Sequence, residues 1–180
     1  MKCLSTHISD VKILIPDVFR DERGFFLESY QQKTLAHLGI DAHFVQDNHS
    51  HSQLGVLRGL HFQLNTPQGK LVRVVSGKIF DVAVDLRQHS PTYGQWIGHL
   101  LSAENFEMLW IPPNFAHGFL TLSSSTDVLY KTTAFYDPHS EYCLRWDDPT
   151  VAIQWPTDLI PRLSSKDSRG LALQDLPKVH

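Results

Sequence analysis

Only two cysteines, Cys3 and Cys143, occur in 180 residues, and they form no Cys-x-x-Cys pair. That excludes a disulfide framework and a zinc-finger ligand set, and it fits a reducing cytosol. Excess positive charge is missing too. Sixteen Lys and Arg against 19 Asp and Glu leave a net charge of −3, so no global basic field recruits nucleic acid. No run of about 18 apolar residues is present to cross a bilayer, and Met1 to Asp10 has no apolar signal core. These absences point to a cytoplasmic protein that binds neither membrane nor nucleic acid. There is also no repeat, low-complexity stretch or linker, and the length suits one domain over residues 1–180. Any anionic ligand must be met by local Arg and Lys.

What the chain does have is a strand-like pattern, with 42% hydrophobic and 19% charged residues. Val11–Ile15, Arg23–Tyr30, Phe44–Asn48, Gly55–His61 and Lys70–Val75 read as strands. Ser76-Gly77 reads as a hairpin turn. Ile79 to Leu86 alternates, with Phe80, Val82, Val84 and Leu86 on one face and Ile79, Asp81, Ala83 and Asp85 on the other. Trp96–Ser102, Phe106–Ile111, Gly118–Leu122, Thr126–Phe135 and Cys143–Trp146 continue the pattern. Gln31–Leu38 is the best helix, stopped by Gly39, and a short helix is expected near Ser168–Leu173. Turns recur about every 8 to 12 residues, the signature of an antiparallel sandwich or barrel.

The chemistry concentrates in Gly55-Val-Leu-Arg-Gly-Leu-His-Phe-Gln63 and Gln68-Gly-Lys-Leu-Val-Arg-Val74. Alternation sends Leu60 and Phe62 to one face and His61 to the other, with Gly59 and Gln63. His61 there is either a hydrogen-bonded structural histidine or a general base. Lys70 is either a surface lysine beside a turn or an ammonium that steadies a developing enolate oxygen. Asp81 is a candidate partner for Lys70, and Asp85 is a second one or a strand-end cap. His117, in Trp110-Ile-Pro-Pro-Asn-Phe-Ala-His-Gly-Phe119, either packs a turn or exposes its imidazole at a barrel mouth. Tyr130 and Tyr136 are aromatic core or rim residues unless one phenol donates a proton across a substrate. Arg23, beside Glu28, can fork onto phosphate, and Phe25 and Phe26 either stack on a base or are simply core and rim of the strand.

Eleven histidines raise the question of a metal. Gly55-x5-His61-x-Gln63 resembles the first half of a cupin metal motif, but Gln63 replaces the usual second histidine and Lys70 opposes a cation. His49 and His51 are the remaining candidates to complete a ligand set. The pattern speaks against a catalytic metal.

Taken in order, these segments closely resemble the dTDP-4-dehydrorhamnose 3,5-epimerase family. The shared motifs include Asp21-x-Arg23-Gly-x-Phe-x-Glu28, Gln46-Asp-Asn-x-Ser-x-Ser52, the two segments above, Asp81-Val-Ala-Val-Asp-Leu-Arg87, Ser90-Pro-Thr-Tyr-Gly94, Tyr130-Lys-Thr-Thr133 and Leu163-Ser-Ser-Lys-Asp167. The resemblance runs over nearly the whole chain. It implies an all-β cupin jelly roll, a sandwich or barrel with a few short helices. It also implies an epimerase that needs no cofactor and acts on a dTDP-4-keto-6-deoxyhexose, as a homodimer with sites shared between subunits. Carried over by residue, it makes His61 the base, Tyr130 the acid on the opposite face, Asp167 the group that orients His61, and Lys70 the enolate's partner with Asp81 behind it. Arg58 and His117 contact substrate. Arg23 and Glu28 grip the nucleotide, with Phe25 or Phe26 near the base, and where the site is shared Arg23 and Glu28 serve the partner's pocket. Gln46, Asp47, Asn48, Glu141 and Lys166 fill further binding positions. Phe62 stands where Tyr is common in the family, and His51 where Lys or Arg is often found.

Overall fold

In a computed structural model, which describes residues 1–158 and 160–179, almost all regular structure is strand. The chain runs through β1 (Lys2–Ser5), β2 (Lys12–Ile15), β3 (Val18–Asp21), β4 (Gly24–Leu27), α1 (Gln32–His37), β5 (Gln46–Gln53), β6 (Leu57–Gln63) and β7 (Lys70–Ser76). It continues through β8 (Lys78–Asp85), β9 (Trp96–Ser102), β10 (Met108–Ile111), β11 (Phe115–Thr121), β12 (Ser125–Thr132) and β13 (Glu141–Cys143). Two 3₁₀ turns, Asp167–Arg169 and Leu173–Asp175, stand where one short helix was expected.

The strands form a six-stranded sheet in the order β1-β2-β10-β7-β12-β5 and a five-stranded sheet in the order β13-β6-β11-β8-β9. The β3–β4 hairpin stands apart. Every named pair is antiparallel. This is the antiparallel sandwich that the turn spacing predicts, in the jelly-roll form that the family resemblance implies.

Both faces of each sheet are used. Between the sheets, Val72, Val74, Ile79, Ala83, Ile97, Leu101, Phe119 and Val128 belong to one apolar cluster. Outside the five-stranded sheet, Val82, Val84 and Leu86 pack under the C-terminal segment, against Val151, Leu173 and Val179. Outside the six-stranded sheet, Leu14, Leu71, Met108 and Trp110 pack against Leu35 of α1 and against Ile40. The two faces read from Ile79–Leu86 are therefore both buried, one between the sheets and one beneath the C-terminal segment. Helix α1 is short. The Gln31 side chain caps it by accepting from the Thr34 amide at 2.9 Å, and it stops before Gly39, as expected.

Three local expectations change. Ser76-Gly77 is not a hairpin turn, because β7 and β8 lie in different sheets. Gly77, at φ +73, carries the chain across, and a Cβ there would sit 2.3 Å from the Ser125 carbonyl oxygen. The strand read from Arg23 to Tyr30 is only Gly24–Leu27, the second arm of a hairpin whose first arm is β3. The strand expected at Gly118–Leu122 begins earlier, at Phe115, which places His117 inside a strand.

Candidate active site

Away from the apolar cluster, the space between the sheets opens into a polar cavity of about 270 Å³. Period-two alternation on five strands fills it. Asn48 and Ser50 of β5, Lys70 of β7 and Tyr130 of β12 come from one sheet. His61 of β6 and His117 of β11 come from the other. Strands β6 and β11 approach closely at Gly59 and Gly118. A Cβ on Gly118 would sit 2.4 Å from the Arg58 carbonyl oxygen, and one on Gly59 would sit 2.6 Å from Gly118 Cα. The two glycines hold His61 and His117 as direct cross-strand partners.

His61 is the hub. Its Nε2 lies 2.5 Å from Asp167 Oδ1. With that carboxylate ionised, Nε2 carries the proton and Nδ1 presents its lone pair. Asp167 is brought in by the 3₁₀ turn. Burial pushes its carboxyl up, but hydrogen bonds from His61, Ser164 and the Gly59 amide outweigh this, and the group stays below the usual carboxylate range. Leu60 and Phe62 lie in the apolar cluster on the other side of β6, as alternation predicts.

Lys70 is 6% exposed, and its Nζ donates to the His61 carbonyl oxygen at 3.2 Å. Burial pushes its ammonium down to about 8, opposed by the charges of Asp81 and Glu141. Asp81, fully buried, bonds His117 rather than Lys70: its Oδ1 lies 2.7 Å from His117 Nε2. Its Oδ2 has no hydrogen-bond partner among the described residues, so Asp81 acts on Lys70 through charge alone. Asp85 takes no part. It caps a strand end, accepting from Arg87, Ser90 and Thr92. The His117 imidazole is not exposed at a barrel mouth, because β11 carries it inward to 6% exposure. Burial lowers its pKa, with Asp81 opposing and the nearby Lys70 and His61 adding to the fall.

Across the cavity, burial raises the Tyr130 phenol above its ordinary value, Arg58 partly opposes this, and Glu141 adds to it. The phenol therefore stays protonated at neutral pH, as a proton donor must. Arg58 is aimed by two bonds, from Nε to Ser52 Oγ at 3.0 Å and from Nη2 to the His51 carbonyl at 3.1 Å. Glu141 accepts from Lys166 and from the Tyr136 phenol, the latter at 2.7 Å. Gln46 donates to Asn48 Oδ1 at 2.9 Å and accepts from the Tyr136 amide at 3.0 Å.

Four expected residues stand elsewhere. Asp47 points to the outer face of β5 and pairs with Lys131 at 2.6 Å. Arg23, Phe26 and Glu28 lie exposed on or beside the β3–β4 hairpin, outside this chain's own cavity, with Arg23 forked onto Asp21. The sequence reading missed Ser164, whose hydroxyl donates to Asp167 Oδ2 at 2.8 Å and accepts from the Asp167 amide at 3.1 Å. Its signal was the Ser-x-x-Asp spacing, which resembles a capping box.

The donor set fits a metal poorly. His61, Cys143 and Asp167 offer atoms within 4.8 Å of one another, but the His61–Asp167 bond fills the space between them. Burial, with Asp167 beside it, pushes the Cys143 thiol up to about 12, far from the thiolate a metal requires. Gln63, standing where a cupin would place a ligand, spends its amide on Thr66, Phe135 and Asp137. His49 and His51 face away, onto Asp127.

The model of the family described as dTDP-4-dehydrorhamnose 3,5-epimerase matches residues 5–175. The chain belongs to the dTDP-4-dehydrorhamnose 3,5-epimerase family. It is 53% identical over 176 residues to the Pseudomonas aeruginosa dTDP-4-dehydrorhamnose 3,5-epimerase, covering 97% of each chain. Among solved structures, the Legionella pneumophila dTDP-6-deoxy-D-glucose-3,5-epimerase in complex with dTDP-4-keto-L-rhamnose matches with a TM-score of 0.96. The identity is 49%, covering 99% of this chain and 98% of that one. A 3′-monoepimerase from Streptomyces bikiniensis, in complex with dTDP-quinovose, matches with a TM-score of 0.88 and 29% identity, covering 94% of this chain and 87% of that one.

Proposed function

We propose that this epimerase-family chain converts dTDP-4-keto-6-deoxy-D-glucose to dTDP-4-keto-L-rhamnose. The 4-keto group acidifies the protons on C3 and C5. His61, oriented by Asp167, removes one of them through Nδ1. Lys70 stabilises the enolate oxygen, with Asp81 behind it and His117 beside it. Tyr130 returns a proton from the opposite face, and the sequence repeats at the second carbon after a ring flip. The carbonyl already present makes the enolate accessible, so the residues in the cavity suffice for the proton transfers.

One observation carries this reading: an oriented imidazole on one sheet and a protonated phenol on the other face the same cavity, which a buried ammonium also lines. Incubation with dTDP-4-keto-6-deoxyglucose in D2O, followed by NMR, tests it. Deuterium should enter at both C3 and C5, and His61→Asn should abolish both. Substantial exchange surviving in that variant refutes the assignment of the base. The likeness to a 3′-monoepimerase supports a second reading, inversion at one carbon by the same residues, which deuterium at C3 alone would establish.

We infer as well that the whole chain works as one cytoplasmic epimerase domain within a homodimer. Arg23, Phe26 and Glu28, exposed on the hairpin, would complete the partner's pocket. Mixing an Arg23→Ala protein with a His61→Asn protein should then restore part of the activity that each lacks. No recovery after subunit exchange refutes the shared site.

A further inference from the structure

The motif Leu163-Ser-Ser-Lys-Asp167 supplies Asp167 and Lys166 to the reading above and leaves Ser164 without a role. We propose that Ser164 is a positioning residue for proton abstraction, acting on His61 through Asp167. This rests on the proposed function, in which His61 is the base.

Three donors converge on the Asp167 carboxylate, which is 4% exposed. His61 takes Oδ1 at 2.5 Å, and Ser164 Oγ takes Oδ2 at 2.8 Å. The Gly59 amide also bonds the carboxylate. Cys143 Sγ stands 4.0 Å from Oδ1, at the limit of a weak contact, and also reaches the Leu144 carbonyl. Ser164 differs from the others because it grips Asp167 twice, accepting from its amide at 3.1 Å while donating to its side chain. The reciprocal pair fixes both the start of the 3₁₀ turn and the χ angles of the carboxylate. The backbone of Ser164 is tied in as well, since its carbonyl accepts from the Ser168 amide at 3.0 Å.

The chemical consequence follows from where the charge sits. A carboxylate bonded at Oδ2 by a hydroxyl is a weaker base at Oδ1. It orders the imidazole and stabilises the imidazolium without capturing the Nε2 proton. Without Ser164, Oδ2 would lose a hydroxyl donor, the one it has among the described residues, in a largely buried place, and the side chain would be free to rotate away from His61. Base strength and alignment would then change together, while the groups that contact substrate directly would stay in place.

The test is a cycle of Ser164→Ala, Asp167→Asn and the double variant, read by C3 and C5 deuterium exchange and by steady-state kinetics. Ser164→Ala should lower kcat by about tenfold or more with KM within about twofold, as expected for a lost hydrogen bond to a charged group. Its kcat/KM should keep its acid limb but shift it upward in pH, because a more basic carboxylate favours the imidazolium. Ser164→Thr, which keeps the hydroxyl, should recover most of the rate. In the Asp167→Asn background, Ser164→Ala should cost nothing further. Full additivity of the two changes, or a raised KM with kcat unchanged, overturns the inference. If Asp167→Asn itself costs nothing, the dyad reading fails instead. Equal melting temperatures of wild type and Ser164→Ala would separate the effect from loss of fold. Failure of Ser164→Thr to recover the rate, in a protein as stable as wild type, counts against a role for the hydroxyl.

Discussion

Replacing Lys70 by Met should make the protein far less active while removing a stability cost that depends on pH. Burial holds the Lys70 ammonium near a pKa of about 8, against 10.5 for the free side chain. The folded pKa is therefore the depressed one. Between the two values the folded chain binds fewer protons than the unfolded chain, so stability rises with pH through that window. The gap between the two values, at about 1.4 kcal/mol per pH unit, means that charged Lys70 costs the fold about 3–4 kcal/mol at neutral pH. Met has a similar length and no charge, so the variant escapes this cost. It also loses the charged donor's bond to the His61 carbonyl, worth about 1.5–3 kcal/mol, so its absolute stability at neutral pH is a difference of two effects. The pH dependence isolates the charge. From about pH 7 to about pH 9.5, wild type should gain about 2 kcal/mol on Lys70→Met. Urea unfolding of both proteins at several pH values measures this. Parallel stability curves would show that Lys70 is not desolvated. Over the same experiments the exchange rate of the variant should fall by about 10²–10³-fold, the usual effect of removing one donor to a developing oxyanion.

Tyr130→Phe should permit deuterium to wash into substrate while slowing inversion, most of all at one carbon, and NMR of the recovered sugar distinguishes the two events. Equal loss of exchange and inversion would mean that Tyr130 is not a specific proton donor. Gly118→Ala should destabilise the protein by about 1–3 kcal/mol through the clash with the Arg58 carbonyl, which thermal or urea unfolding detects. A neutral result would mean that β6 and β11 can separate. In the native protein Cys143 should resist thiol reagents, because its thiol is buried and pushed up to about 12. The half-buried Cys3 should react first, and a thiol count should rise on denaturation. The contribution of Asp167 to stability should be present above its unfolded pKa, near 3.8, and be lost as pH falls through its lower folded value. Asp167→Asn should therefore flatten the acid limb of the stability profile.

The sequence carried the face of a residue better than its neighbours. His61 between Leu60 and Phe62, and Asp81 between Phe80 and Val82, were legible because a strand alternates with period two whatever it pairs with. Pairing was not legible. Ser76-Gly77 has the composition of a hairpin turn, yet only the sheet order reveals that it crosses between sheets. His117 follows two prolines and reads as a turn residue. Antiparallel pairing of β11 with β8 draws it under Asp81, whose register partner is Phe119, so their bond is a diagonal contact on the inner face. Lys2–Ser5 and Val18–Asp21 escaped notice because they are short and mostly exposed, with too few apolar positions to show a period. Asp167 and Ser164 lie about 100 residues from His61, a distance that no local pattern spans, and resemblance alone brought Asp167 into view.

The two-sheet architecture explains why this fold suits the proposed chemistry. Inversion takes a proton from one face of a sugar carbon and returns one to the other, so a proton acceptor and a proton donor must stand on opposite sides of a ring that does not leave. Packed sheets lie about 10 Å apart, which leaves room for one hexose ring once small and polar side chains replace the apolar cluster. His61 and Tyr130 point inward from opposite sheets by strand alternation, and no moving part is needed to bring them face to face. Lys70 enters at the first residue of β7, where the strand begins and the apolar filling stops. The same placement that strips it of water makes it costly to the fold and, in the proposed mechanism, effective toward an enolate oxygen. Stability and catalysis are thus set against each other at one ammonium group, and a variant that relieves the first should damage the second.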